Sequence, residues 1–189
     1  HVMGFYQEAM AGIDCALWDI WGKHAEVPVW RLLGGATNPK LWCYASSLRL
    51  RSMDILRDEI DQHKANGFNA MKIKIGKDPM DWRTEMKTVE AIRKHAGDIM
   101  LMADVNCNYG HDLKTALEVG RALQDQGLYW YEEPLYPDDV DGYAYLRDHL
   151  DIRIAAGEAD FNKNSFARFL RRDALDIVQP DAARTAGIT

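Results

Sequence analysis

Ala70-Met71-Lys72-Ile73-Lys74-Ile75-Gly76 alternates in character along its length. Met71, Ile73 and Ile75 share one face of an extended strand, and Ala70, Lys72 and Lys74 share the other. Taken alone, the heptad also fits a half-exposed edge strand with its lysines in water. Its setting between two helical patterns favours a parallel strand buried on both faces. Two cations on a buried face are costly unless anionic partners or a chemical task keep them there. The compensating negative charge must then come from elsewhere in the chain.

Working outward, the pattern is a regular alternation of strands and helices. Upstream, residues 41–46 read as a strand and 52–66 as a helix stopped by Gly67. Downstream, 79–95 reads as a helix, with Pro79 placed to begin it and Gly97 to end it. Strands follow at 99–105, 128–132, 152–156 and 176–179, separated by helices at 112–126, 138–149 and 165–172. This is α/β architecture. Six strand-helix units at a pitch of roughly 25–30 residues fit a β/α barrel, although a doubly wound open sheet alternates in the same way. Before them, 7–23 reads as an amphipathic helix with Met10, Ile13, Leu17 and Ile20 at helical spacing, and 29–33 as a short helix. Thr37-Asn38-Pro39 is a loop and marks a boundary between residues 1–38 and 39–189.

Three of the strands end in a carboxylate. Asp104 closes Leu101-Met102-Ala103-Asp104, Glu132 closes Trp130-Tyr131-Glu132, and Glu158 closes Ile154-Ala155-Ala156-Gly157-Glu158. They recur at about one strand-helix unit, so neighbouring parallel strands would each present one at the C-terminal end, where barrels place their active sites. Each taken singly also reads as a helix cap or a solvated loop residue. Three converging carboxylates repel unless a cation holds them. All-oxygen ligation suits Mg²⁺, with Mn²⁺ a close second. Lys72 and Lys74, one unit earlier, would flank that ion. Asn106 shares the side of Asp104 and could reach the ion or a substrate oxygen, or simply bond its own backbone. Asp181, after Pro180, reads alone as a turn residue. The six histidines form no zinc pattern, and Trp18, Trp21 and Trp30 read as packing residues.

Composition narrows the classes further. A chain of 189 residues can bury one sizeable core, and a net charge of −6 argues against a nucleic-acid partner. Three scattered cysteines point to a reducing compartment rather than a disulfide framework. No apolar run approaches the roughly 20 residues of a membrane span. The expectation is a cytoplasmic protein with no membrane partner.

Together these motifs resemble the enolase superfamily, in its mandelate racemase and muconate-lactonizing branch. Ala11-Gly12-Ile13-Asp14-Cys15-Ala16-Leu17-Trp18-Asp19, followed by Leu32-Leu33-Gly34-Gly35, resembles the last helices of that family's α+β capping domain. Lys72-Ile73-Lys74 resembles its K-x-K strand, and Asp104-Val105-Asn106, Glu132-Glu133-Pro134 and Gly157-Glu158 resemble its three metal-ligand motifs. Glu158 as third ligand and Asp181 in Gln179-Pro180-Asp181 are similar to the mandelate racemase subgroup. The resemblance implies residues 1–38 as the end of the capping domain and 39–189 as strands one to six of an eight-stranded barrel. The chain would then be part of a longer enzyme, and its activity by itself is open.

What the resemblance implies chemically is removal of a proton α to a carboxylate. Lys74 would be a base, its pKa lowered by the Lys72 ammonium beside it. Lys72 would add charge next to the substrate carboxylate. Asp181 would orient a histidine from a seventh strand. The implied function is a dehydratase converting an aldonic or aldaric acid to a 2-keto-3-deoxy acid. A racemase or epimerase and a catalytically silent barrel fragment are the alternatives. Unpaired barrel seams favour a homo-oligomer.

Overall fold

The computed structural model describes residues 2–78 and 81–189. Its elements run α1 (Val2–His24), α2 (Val29–Leu32), β1 (Ala45–Arg49), α3 (Met53–Ala65), β2 (Ala70–Lys74), α4 (Trp82–Ala96), β3 (Met100–Asp104), α5 (Leu113–Asp125), β4 (Trp130–Glu132), α6 (Val140–His149), β5 (Arg153–Ala156), α7 (Lys163–Arg171) and β6 (Ile177–Val178). None of the described helices is long and apolar enough to cross a membrane.

The six strands form one sheet in the order β1-β2-β3-β4-β5-β6, every neighbouring pair parallel. A doubly wound sheet reverses its strand order at a switch point, whereas barrel staves follow chain order without reversal. The order therefore resolves the ambiguity left by the alternation, in favour of the barrel.

The chain divides into two compact units. One comprises Cys43–Ala156 and Arg168–Val178; the other comprises the segment ending at Trp42, Gly157–Ala167 and Gln179–Thr189. In the first, both sheet faces are covered. Met71, Ile73, Leu101, Tyr131 and Ile154 pack with helix residues such as Leu56, Ile60, Val89, Ile92, Val119 and Leu123, all of them fully buried. Each such side chain contributes about 1.5–3 kcal/mol of burial. On the opposite face Ala70, Met102, Trp130 and Ala155 form a separate buried cluster, with Tyr44 against it. β2, the first five residues of the heptad at 70–76, is thus a strand with two buried faces, as its flanking helices predict.

Helix ends follow local chemistry. Asp112 caps α5 by accepting from the Thr115 N–H at 3.0 Å. Gly97 ends α4 at φ 69°, a conformation glycine adopts at no steric cost. The start of α4 expected at Pro79 lies outside the described residues.

The structure corrects several expectations. β1 begins at Ala45, not Leu41: Leu41 and Trp42 are exposed, and the strand shifts register between Ala45 and Leu48, its two buried residues. α1 begins earlier than residue 7, and its apolar stripe Met10, Ile13, Leu17 and Ile20 is exposed. Among its described side-chain positions the buried ones are small, Gly4, Ala11 and Gly22. The face used inside its own unit is thus a flat one, where Gly4 lies against Phe161 and the Trp18 indole N–H donates to Thr189 Oγ1 at 3.0 Å. Trp21 and Trp30, read as packing residues, are also exposed.

Candidate active site

Strand register puts the candidate residues in one row. Arg49 pairs with Lys74, Lys74 with Asp104, Asp104 with Glu132, and Glu132 with Ala155. Residues opposite one another in a parallel ladder project to the same sheet face. Two-residue periodicity then puts Lys72 one layer below Lys74, and Trp130 one layer below Glu132. β1 to β4 each end in the residue that the row needs.

In that row the charges neutralise each other directly. Lys72 Nζ lies 2.7 Å from Glu132 Oε1 and 2.9 Å from Asp104 Oδ2, joining two carboxylates that are fully or almost fully buried. Lys74 Nζ also pairs with Asp104 Oδ2 and donates to Asn106 Oδ1 at 2.8 Å. The Asn106 backbone N–H donates to Asp104 Oδ1 at 3.0 Å. The negative charge that the lysine strand demands is therefore supplied by the next two strands. Burial pulls the Lys72 ammonium down, but Glu132 and Asp104 outweigh it and hold its pKa above the usual lysine value. Burial likewise pushes the Asp104 carboxyl up, yet Lys74 and Lys72 outweigh it and keep it below the usual carboxylate range.

Three further residues support this cluster and had weak sequence signals or none. The Trp130 indole N–H donates to Glu132 Oε2 at 3.0 Å; its position two residues before Glu132 was the signal. Tyr44 meets Trp130 edge-on at 5.2 Å, and Lys72 Nζ lies 5.8 Å from the centre of its ring. Burial raises the Tyr44 hydroxyl, opposed by Lys72 and reinforced by Glu132. Glu85, buried on α4, accepts the backbone N–H groups of Gly76 at 2.7 Å, Lys77 at 2.8 Å and Asp78 at 3.3 Å. This carboxylate organises the turn that follows Lys74. Gly76 sits there at φ 78°, where an added Cβ would lie 2.7 Å from Val105 Cγ1. Nothing in the sequence marked Glu85 for this role.

The loops beyond β3 and β4 carry backbone strain. Asn106, Cys107 and Glu133 have φ of 50°, 61° and 44°, a region unfavourable to side-chain-bearing residues. Each costs about 1–3 kcal/mol, and such outliers concentrate at functional sites. The Cys107 N–H donates to the Glu133 carbonyl at 2.8 Å, tying the two loops together.

The structure thus brings together Lys72, Lys74, Asp104, Glu132 and Asn106. It does not gather a third carboxylate: among the described residues no group of three or more His, Cys, Asp or Glu side chains stands at metal-holding range. Glu158 is half-buried and lies two residues past the end of β5 in the sequence. Asp181 lies past the end of β6, is exposed, and accepts from the Ala183 N–H at 2.8 Å, the turn role its position after Pro180 suggested. The donor set on β3 and β4 fits a hard divalent ion. Its carboxylates are buried and already converge on one cation, the Lys72 ammonium, and oxygen donors suit Mg²⁺.

A parallel sheet in barrel order, with lysines and carboxylates meeting at the C-terminal strand ends, defines a β/α-barrel enzyme scaffold. Residues 56–189 match the family described as enolase C-terminal domain-like, and residues 2–34 match the mandelate racemase/muconate lactonizing enzyme N-terminal domain. The chain belongs to this branch of the enolase superfamily. It is 35% identical to an arabinonate dehydratase of Saccharolobus solfataricus over 95% of its own length and 48% of the relative's. Among solved structures, the 3,6-anhydro-D-galactonate cycloisomerase from Zobellia galactanivorans is 40% identical with a TM-score of 0.88, covering 96% of this chain and 50% of that one. A racemase from Streptomyces coelicolor, crystallised with bound magnesium, is 34% identical with a TM-score of 0.89, covering 96% and 53%. The chain spans about half the length of the relatives it matches.

Proposed function

We propose that the enzyme containing this chain is a Mg²⁺-dependent dehydratase of an aldonic or aldaric acid, forming a 2-keto-3-deoxy acid. The observation that carries this reading is the row itself: two lysines from one strand face meet two buried carboxylates at the ends of the next two strands. Relationship to a dehydratase at 35% identity supports it.

Asp104 and Glu132, with Glu158 as the third ligand, would hold the ion. When bound, it supplies positive charge that stabilises the anion formed on loss of the proton α to the substrate carboxylate. Lys72 adds a second, permanently charged cation beside that carboxylate. Lys74 removes the C2 proton, and the Asn106 amide, already hydrogen-bonded to Lys74, orients its amine. Trp130 and Lys72 between them fix both oxygens of Glu132. Asp181 serves a histidine supplied by the rest of the enzyme, which protonates the departing C3 hydroxyl. Water leaves, and the enol product becomes the keto acid.

The relationship to a cycloisomerase at 40% identity and to a racemase favours a second reading, in which the same proton abstraction leads to isomerisation. The test follows keto-acid formation and deuterium uptake at C2 together, using the full-length enzyme with Mg²⁺ and a panel of acid sugars in D₂O. Keto acid from one sugar supports the dehydratase. Exchange or inversion without keto acid supports isomerisation.

A further inference from the structure

A cavity of about 350 Å³ opens at the C-terminal ends of β1, β2 and β3. Arg49, Lys74, Lys77, Asn106 and Asn108 provide its polar lining, and among the described residues no acidic one lines it. Lys74 is committed to Asp104 and Asn106. Arg49 and Lys77 are exposed, and among the described residues their side chains take part in no ion pair or hydrogen bond. Two unpaired cations beside two amides, in a concave site, are suited to an anionic oxygen ligand.

Strand order gives the direction. The carboxylates Asp104 and Glu132 lie on β3 and β4, the lysine pair on β2, and Arg49 on β1, on the far side of the lysines. Arg49 is the register partner of Lys74 and belongs to the same row. From β3 to β1 is two strand spacings, roughly 10 Å. A substrate with one carboxylate at Asp104 and Glu132 and its C2 at Lys74 extends its far end towards β1. There the site offers positive charge and hydrogen-bond donors.

We propose that Arg49 and Lys77, with Asn108, form a subsite for a second carboxylate, so that the substrate is a dicarboxylic acid sugar rather than a monocarboxylic one. The proposal rests on the dehydratase reading for the placement of the first carboxylate and of C2. A terminal hydroxymethyl group in the same place would leave two cations without a counter-charge. A terminal carboxylate pairs with both.

Adipate and hexanoate test this without turnover, since neither has a β-hydroxyl to lose and they differ only in the distal carboxylate. Their binding is measured by calorimetry on the full-length enzyme with Mg²⁺. Adipate is expected to bind about tenfold or more tightly than hexanoate, the usual worth of a charge-assisted hydrogen bond. Arg49→Gln and Lys77→Gln each reduce that preference, and Arg49→Lys keeps most of it. Arg83→Gln, which removes an exposed cation paired with Glu118, leaves it unchanged. Equal binding of the two acids, no binding of adipate, or a preference that survives both Arg49→Gln and Lys77→Gln overturns the proposal. Keto acid from galactarate is followed in parallel. A preference for adipate without keto acid removes the dehydratase reading and leaves the subsite standing. Keto acid with no preference for the diacid removes the subsite alone.

Discussion

The indole N–H of Trp130 donates to Glu132 Oε2 at 3.0 Å, while Lys72 Nζ donates to the other oxygen of the same carboxylate at 2.7 Å. Both oxygens of a buried acid are thereby fixed before any ligand arrives, which favours a preorganised site. Trp130→Phe keeps most of the apolar filling of the cluster with Ala70, Met102 and Ala155 but removes the donor. Removing a donor from a carboxylate at this depth costs about 1–3 kcal/mol. Denaturant unfolding should show a loss of that size. Mg²⁺ titration should also show weaker binding, because Glu132 is freer to turn. A variant with wild-type stability and Mg²⁺ affinity would remove Trp130 from this role.

Lys72 is the cation on which the buried row depends. Its side chain is 6% exposed, against 0% for Asp104 and 1% for Glu132. Removing one member of such a set leaves uncompensated buried charge and costs about 3–5 kcal/mol. Lys72→Met is therefore expected to be strongly destabilised in urea. The double variant Lys72→Met/Glu132→Gln should be less destabilised than the two single changes added together, because the second change removes a charge that the first left bare. Strict additivity would mean that the two side chains do not depend on each other.

Glu85 holds the turn after Lys74 through three consecutive backbone N–H groups. Glu85→Ala leaves those donors without their acceptor, and amide hydrogen exchange at Gly76, Lys77 and Asp78 should accelerate well beyond any change in the β4 and β5 strands. Glu85→Gln retains one acceptor oxygen and should restore part of the protection. Uniform acceleration across the sheet in both variants would indicate a loss of global stability instead.

Much of this architecture is legible in the chain because it depends on local periodicity. The Lys72/Lys74 alternation, the carboxylates at the ends of β3 and β4, and the glycine after α4 each follow from a rule spanning a few residues. The errors come from long-range choices. α1 has an apolar stripe and a small-residue face, and only the tertiary structure shows that its own unit uses the latter. Leu41 and Trp42 look like strand residues, but pairing with β2 starts at Ala45. Glu85 was invisible because its partners are backbone amides across a turn.

The cap of α5 gives a pH test independent of the site. Asp112 accepts from the Thr115 hydroxyl at 2.6 Å and from its N–H at 3.0 Å, and these bonds hold its carboxyl below the usual range. A group whose pKa is depressed on folding contributes stability that is present above its unfolded value, about 3.9 for Asp. That contribution is lost as pH falls through the lower, folded value. Asp112→Asn keeps a neutral cap but removes the titration. The stability difference between wild type and Asp112→Asn, read from urea unfolding between about pH 6 and pH 3, should favour wild type at the upper end and shrink as acid is added. Because the carboxylate is largely exposed, solvent screening keeps the effect small, and added salt should reduce it further. A difference that stays constant across that range would show that Asp112 acts through its shape as a cap and not through its charge.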